Sequence, residues 1–233
     1  HRLVGSGIMG RDIELSLLVD NQALEGLVVE HGFSAWITVG ATNILYDTGA
    51  GSALLPNAAS LGIDLSRTGL LVLSHGHYDH TGGITDVLAS SRSVELYAAR
   101  GVSVARYSCH PDLPVRSIGM SAVNQHAILS LPTAQVHELH APMYLADGIG
   151  LTGPIPRYCD FEDTGGPFFL DAQKTTADLI EDDQALWFET RGGLVIVLGC
   201  CHSGIVNTVD YIRQVPGIAR VRRIVGGLHL LHA

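Results

Sequence analysis

No run of this 233-residue sequence stays apolar over the roughly 20 residues that a membrane-spanning helix requires, and the most hydrophobic stretches, such as Gly193 to Leu198, have only strand length. A spanning segment is therefore not expected, nor a membrane partner. Basic runs are missing too. With a formal charge of −9 and only Arg220, Arg222 and Arg223 close together, the chain offers little to a nucleic-acid backbone, and that trio reads as the solvated edge of a helix or strand. Cysteine is scarce. Cys109, Cys159, Cys200 and Cys201 form no C-x-x-C pair, and two of them are adjacent, which excludes a disulfide framework and points to a reducing, cytoplasmic setting. There is no internal repeat and no linker, so residues 12–233 read as one domain. Residues 1–11 lack the apolar core of a signal peptide and read as a tag or flexible terminus. What remains, 46% apolar and 16% charged, is enough for one sizeable core.

The chemistry concentrates in Thr68-Gly-Leu-Leu-Val-Leu-Ser-His-Gly-His-Tyr-Asp-His-Thr-Gly-Gly83. Leu70 to Leu73 reads as a buried strand that runs into His75, His77, Asp79 and His80, and then into an apolar helical pattern. Residues two apart on an extended backbone point the same way, so His75 and His77 can converge on one ion. Asp79 and His80 fall in the following turn, within reach of a second. Imidazole with carboxylate suits zinc, iron or manganese better than calcium or magnesium.

Strands are expected at Ile13 to Val19, Phe33 to Val39 and Ile44 to Gly49, with a hairpin turn over Gly40 to Asn43. A helix follows over Ser52 to Leu61, with Pro56 early enough to be tolerated. After the histidine-rich turn come a helix from Gly83 to Ala89, a strand from Val94 to Ala98 and a helix around Ala99 to Tyr107. Prolines break Cys109 to Pro167 into short pieces, with strands at Val136 to Leu139 and Gly148 to Leu151. Asp160 to Leu170 reads as an exposed loop and a lid. Strands at Ala185 to Thr190 and Leu194 to Leu198, a helix at Ile205 to Val215 and a short strand at Ile224 to Val225 complete the chain. Hairpin-paired strands in both halves, each half adding helices, point to a sandwich of sheets with helices outside.

Two later stretches repeat the pattern of strand, glycine and histidine. In Leu194-Val-Ile-Val-Leu-Gly-Cys-Cys-His-Ser-Gly-Ile-Val-Asn207, a strand end would deliver His202 to the same sheet edge as His75. In Ile224-Val-Gly-Gly-Leu-His229, an apolar strand again ends at a histidine. Asp47 closes the strand in Leu45-Tyr-Asp-Thr-Gly49. Cys200 follows Gly199 directly, either against a metal or as a small buried residue beside it.

The His-x-His-x-Asp-His stretch after a hydrophobic strand resembles the signature of the metallo-β-lactamase superfamily. The wider set adds Glu30-His-Gly-Phe-Ser34, Gly153-Pro-Ile-Pro-Arg157, Asp182-Asp-Gln-Ala-Leu186 and the two stretches above. Together they resemble the subfamily that includes the archaeal 7,8-dihydropterin-6-methyl-4-(β-D-ribofuranosyl)aminobenzene-5′-phosphate synthase. The resemblance implies an α/β (α+β) chain folded as a four-layer αββα sandwich. It makes Asp47 a support for a ligand histidine, His229 the late histidine that closes the metal site, and Glu30, His31, Arg157, Asp182 and Asp183 pocket residues. One departure stands out. The well-known members carry a separate central histidine motif and then a Gly-Asp or Gly-Cys that bridges both metals. None of His110, His126, His137 and His140 has that motif's context, so His202 supplies the third histidine, and Cys200 stands in the bridging aspartate's place.

The expectation is a dinuclear site for two divalent ions, zinc first and iron or manganese as alternatives. His75, His77 and His202 would hold one, and Asp79, His80 and His229 the other. Asp79 is the catalytic residue that orients an activated water. The reaction expected is hydrolysis of an ester, amide or phosphoester on a small-molecule substrate, one bearing a pterin or a phosphate. The alternatives are a synthase that joins a pterin pyrophosphate to an aminobenzene ribofuranosyl phosphate, and an iron-binding redox or non-catalytic protein. A homo-oligomer is compatible with all of these.

Overall fold

In a computed structural model of the chain, residues 2–5 and 12–229 are described. Strands β1 (Arg2–Gly5), β2 (Ile13–Val19), β3 (Ser34–Val39), β4 (Thr42–Tyr46), β5 (Leu70–Leu73), β6 (Glu95–Ala99) and β9 (Val136–Leu139) form a seven-stranded sheet in the order β1-β2-β3-β4-β5-β6-β9. A second sheet has the order β10-β11-β13-β14-β15, made of Met143–Ala146, Ile149–Leu151, Leu186–Thr190, Gly193–Val197 and Val221–Val225. A small third sheet joins β12 (Phe168–Phe169), β7 (Tyr107–Ser108) and β8 (Arg116–Ser117).

Side-chain alternation explains the layering. Ala35, Ile37 and Val39 of β3 face inward with Tyr46 and Val72, and meet Leu186, Phe188 and Val197 of the second sheet in a shared core. Trp36, Leu45, Leu71 and Leu73 face the other way, against Leu54 and Ala58 of α1 (Leu54–Ser60) and Ile84 and Val87 of α3 (Ile84–Ser90). On the far side, Trp187, Leu194 and Ile196 pack on Ile212 of α5 (Ile205–Gln214). The result is helix, sheet, sheet, helix. No helix among the described residues is long and apolar enough to cross a membrane.

Several elements depart from the expectations. Residues 99–107 are not helical: a turn with Gly101 at φ 91° leads into β7, and Arg106 is buried within it. Helix α4 (Ala122–Leu129) arises in the proline-broken stretch, where Ser121 accepts a hydrogen bond from Asn124 N at 3.2 Å as its N-cap. Strand β15 begins at Val221, so Arg222 and Arg223 lie on the edge strand of the second sheet. Residues 2–5, within the stretch read as a tag or flexible terminus, pair antiparallel with β2. Residues 6–11 and the last four, including His232, lie outside the described residues.

Candidate metal centre

Strands β4 and β5 run parallel in the first sheet, and β14 and β15 run parallel in the second. Loops at the carboxyl ends of such strands carry ligand sites in open α/β sheets, and all the histidine-bearing segments leave from these ends. Asp47 follows β4. Ser74, His75 and His77 follow β5, and the one-turn helix α2 (Tyr78–Thr81) presents Asp79 and His80. Cys200 and His202 follow β14, and His229 follows β15.

The rings converge. His75 lies with ring centroids 4.5 Å from His77, 4.2 Å from His80 and 4.7 Å from His202, and His229 lies 4.8 Å from His202. His75 Nε2 and His77 Nδ1 are 3.0 Å apart. Among the described residues, two groups bring three ligand atoms within 4.8 Å of one another: His75 with Cys200 and His202, and Asp79 with His80 and Cys200. Cys200 belongs to both, its Sγ 3.2 Å from His80 Nε2. His77 and His229 stand beside these groups rather than inside them.

The nitrogens are prepared for a cation. His202 Nδ1 can only donate to the Thr164 carbonyl, 2.7 Å away, which leaves the Nε2 lone pair free, and His202 Nε2 and His77 Nε2 are buried without a hydrogen-bond partner. Burial, reinforced by neighbouring imidazoles and Arg106, pushes His75, His77 and His202 well below the usual histidine range, so they are neutral. Burial also lowers His229. His80 goes the other way: burial disfavours its cation, but Cys200, Asp47 and Asp79 outweigh that and raise it. Neutral imidazoles with orphaned lone pairs, a carboxylate and a thiol make a donor set that fits a borderline-soft divalent cation.

The supports come from far away in sequence. Asp47, at φ 57°, accepts from Ser74 N at 2.7 Å, Ser74 Oγ at 2.6 Å and His80 Nδ1 at 2.7 Å. Asp182 accepts from Gly76 N at 2.8 Å and pairs with Arg106 Nη2 at 2.5 Å, and Arg106 Nε lies 3.3 Å from Asp178. Gly76 has no room for a side chain, since a Cβ there would sit 1.9 Å from the Val102 carbonyl oxygen. Asp183 accepts from Ser203 N at 2.6 Å, and burial pushes its carboxyl up to about 7. Gln184 donates from Nε2 to the Leu73 carbonyl at 2.7 Å. The run 182–184 thus fastens the β5 loop of one sheet and the β14 loop of the other.

Pocket roles implied by resemblance change accordingly. Both Glu30 oxygens are taken by the loop before α1, accepting from Ala50, Gly51, Ser52 and Ala53 N and from the Ser52 hydroxyl, so Glu30 organises that loop rather than a pocket. Asp182 and Asp183 are buried fasteners. Arg157 donates to the carbonyls of Leu179, at 3.0 Å, and His202, holding the backbone there. His31 is the exception: exposed, it places Nε2 3.3 Å from Asp79 Oδ2. The central histidines lie elsewhere, with His137 stacked on Tyr97 and His140 beside Glu138.

The loop read as an exposed lid is half-buried over the cluster. Besides the Thr164 carbonyl, it sets the Phe168 ring 5.3 Å from His77 and 5.6 Å from His202. Glu162 accepts from Val206 N and Asn207 N at the start of α5. Sequence reading missed Phe168, Thr164, Ser74 and Arg106, whose roles depend on contacts that carry no local pattern.

Comparison with known proteins agrees with this architecture. The profile of the metallo-beta-lactamase superfamily matches residues 27–106. An uncharacterized protein of Methanocaldococcus jannaschii is 28% identical over 93% of this chain and 79% of its own length. The 7,8-dihydropterin-6-methyl-4-(beta-D-ribofuranosyl)-aminobenzene-5'-phosphate synthase of the same organism is 29% identical over 88% of this chain and 72% of its own. Among solved structures, a metal-dependent hydrolase of the beta-lactamase superfamily superposes with a TM-score of 0.75 at 29% identity, covering 95% of this chain and 78% of that one. Sandwich, histidine-bearing strand ends and relatives together show the metallo-β-lactamase fold, and the chain is similar to the metal-dependent hydrolase and to the dihydropterin synthase named above.

Proposed function

We propose that this chain is a metal-dependent enzyme of hydrolase type, acting on an ester, amide or phosphoester bond of a small molecule. The observation that carries the reading is the pair of buried, unpartnered nitrogens, His77 Nε2 and His202 Nε2, on two clustered imidazoles that burial pushes well below the usual histidine range. Such groups are costly to bury unless something completes them. His75, His77 and His202 would hold one cation and Asp79, His80 and His229 a second. Cys200 lies within reach of both sets, and zinc suits these donors, with iron or manganese as alternatives. When bound, such cations supply Lewis acidity and make water a nucleophile near neutral pH.

The chain's own residues do the rest. Asp79 is the proton-handling group, its Oδ2 between His31 Nε2 and His80 Nε2 at 3.3 and 3.6 Å. Phe168 and the half-buried loop around it shield the cluster from bulk water. A second reading rests on the relatives: one is named a synthase and another a hydrolase, each at 29% identity. The synthase reading would use the same centre to stabilise a departing pyrophosphate.

The test begins with elemental analysis of protein purified without added metal. Two equivalents of zinc or manganese favour hydrolysis, and iron favours a redox role. A phosphodiesterase and lactonase screen then compares wild type with Asp79→Ala, with a loss of at least about 100-fold expected. Equal rates would remove Asp79 from the mechanism, and a metal-free wild type would remove the site.

A further inference from the structure

We propose that Ser74 is a positioning residue which, with Asp47, sets the nitrogen that His75 turns toward the metal centre. This rests on the reading of the histidine cluster as a metal site. The argument is one of proton counting. Asp47 accepts from Ser74 Oγ at 2.6 Å, and a carboxylate can only accept. The single hydroxyl proton of Ser74 is therefore committed to Asp47. Ser74 Oγ also lies 2.9 Å from His75 Nδ1, and having no second proton it must accept there. Nδ1 of His75 then carries the proton of the neutral ring, and its lone pair is left on Nε2, the atom that faces His77 Nδ1 at 3.0 Å.

The same carboxylate takes the Nδ1 proton of His80 directly, at 2.7 Å. One buried acid thus sets two ligand rings, His80 by contact and His75 through a hydroxyl. The arrangement is held on every side. Ser74 N donates to the other oxygen of Asp47 at 2.7 Å. Asp47 N donates to the Val72 carbonyl at 2.8 Å, and Ser34 Oγ donates to the Asp47 carbonyl at 2.8 Å. Gly199 completes the seat from the opposite sheet, since a Cβ there would lie 2.1 Å from Ser74 Oγ and 3.2 Å from Asp47 Oδ2. The glycine that precedes Cys200 leaves room for the hydroxyl, a reason for its place that does not involve a ligand.

The test is a long-range proton–nitrogen correlation of the histidine rings in the nitrogen-15-labelled full chain, with and without zinc. In wild type, His75 is expected to be protonated on Nδ1 without zinc and to change its Nε2 shift when zinc is added. In Ser74→Ala, the ring should populate the other tautomer, and zinc affinity measured by chelator competition should fall on the order of 10- to 100-fold. Gly199→Ala, which crowds the hydroxyl, should move both readouts the same way. A role in packing alone would lower stability without exchanging the tautomer. Wild-type His75 protonated on Nε2, or Ser74→Ala with unchanged tautomer and zinc affinity, overturns the proposal. If Ser74→Ala does not fold, the wild-type tautomer decides. If wild type takes up no zinc, the metal reading fails, while the tautomer in the zinc-free chain still judges Ser74.

Discussion

Asp182 shows how much one buried side chain can carry. Its two oxygens serve different masters: one holds the amide of Gly76, between His75 and His77, and the other holds the guanidinium of Arg106, itself buried. Burial raises its carboxyl above the usual range, and Arg106 opposes that in part. Replacing it with alanine leaves a buried cation with Asp178 as its remaining carboxylate partner and an amide without an acceptor. Breaking a buried pair from one side costs about 3–5 kcal/mol. Urea unfolding of Asp182→Ala is expected to show a loss of that order, with Asp182→Asn losing less because an amide oxygen can still accept from Gly76. Equal stability of Asp182→Ala and wild type would mean that the Arg106 pair is not formed in solution.

At the scale of elements, helix α5 begins without a capping side chain of its own. Its N-cap is Gly204 at φ 91°, and the first free amides are met instead by Glu162 from the loop over the site. A carboxylate there also suits the positive end of the helix. The same loop supplies the Thr164 carbonyl to His202 and the Phe168 ring to the cluster, so the cap ties the cover to the histidine cluster. Glu162→Ala should cost about 1 kcal/mol, as lost caps do. It should also speed hydrogen exchange across residues 160–170, read by mass spectrometry. Slower or unchanged exchange in that segment would show that the cap does not hold the cover.

At the scale of the molecule, the centre belongs to neither sheet alone. His75, His77, Asp79 and His80 come from the first, and Cys200, His202 and His229 from the second, so separating the sheets dismantles it. Phe188, fully buried in the core between the sheets, is one of the side chains that keeps them together. Phe188→Ala is expected to lower stability by about 3–5 kcal/mol. In both proteins, zinc release followed with a coloured chelator should coincide with loss of secondary structure in denaturant, because a ligand that binds only the folded state leaves on unfolding. Release well before unfolding would show that the site opens without the sandwich coming apart.

The local pattern of a hydrophobic strand, a glycine and a histidine made β5 with His75 and His77, and β14 with His202, readable from the chain itself. Strand period and turn chemistry act over a few residues, so the sandwich and the clustering of its histidine-bearing ends followed from them. Helix α4 was hidden by flanking prolines, and residues 99–107, read as helical, form a turn and a lead into β7 with Arg106 buried. The work of Glu30, Asp182 and Asp183 was not legible either: each was read as a pocket residue, and each is occupied by backbone amides or a cation from another segment. Cys200 could be read only as beside a metal or against it, and the closed sheets place it in both groups of candidate ligands. The sequence determined which side chains reach one edge of the fold. Only the tertiary structure decided which partners surround each ring and which acids stand behind it, because those partners come from distant segments that meet only when the two sheets close.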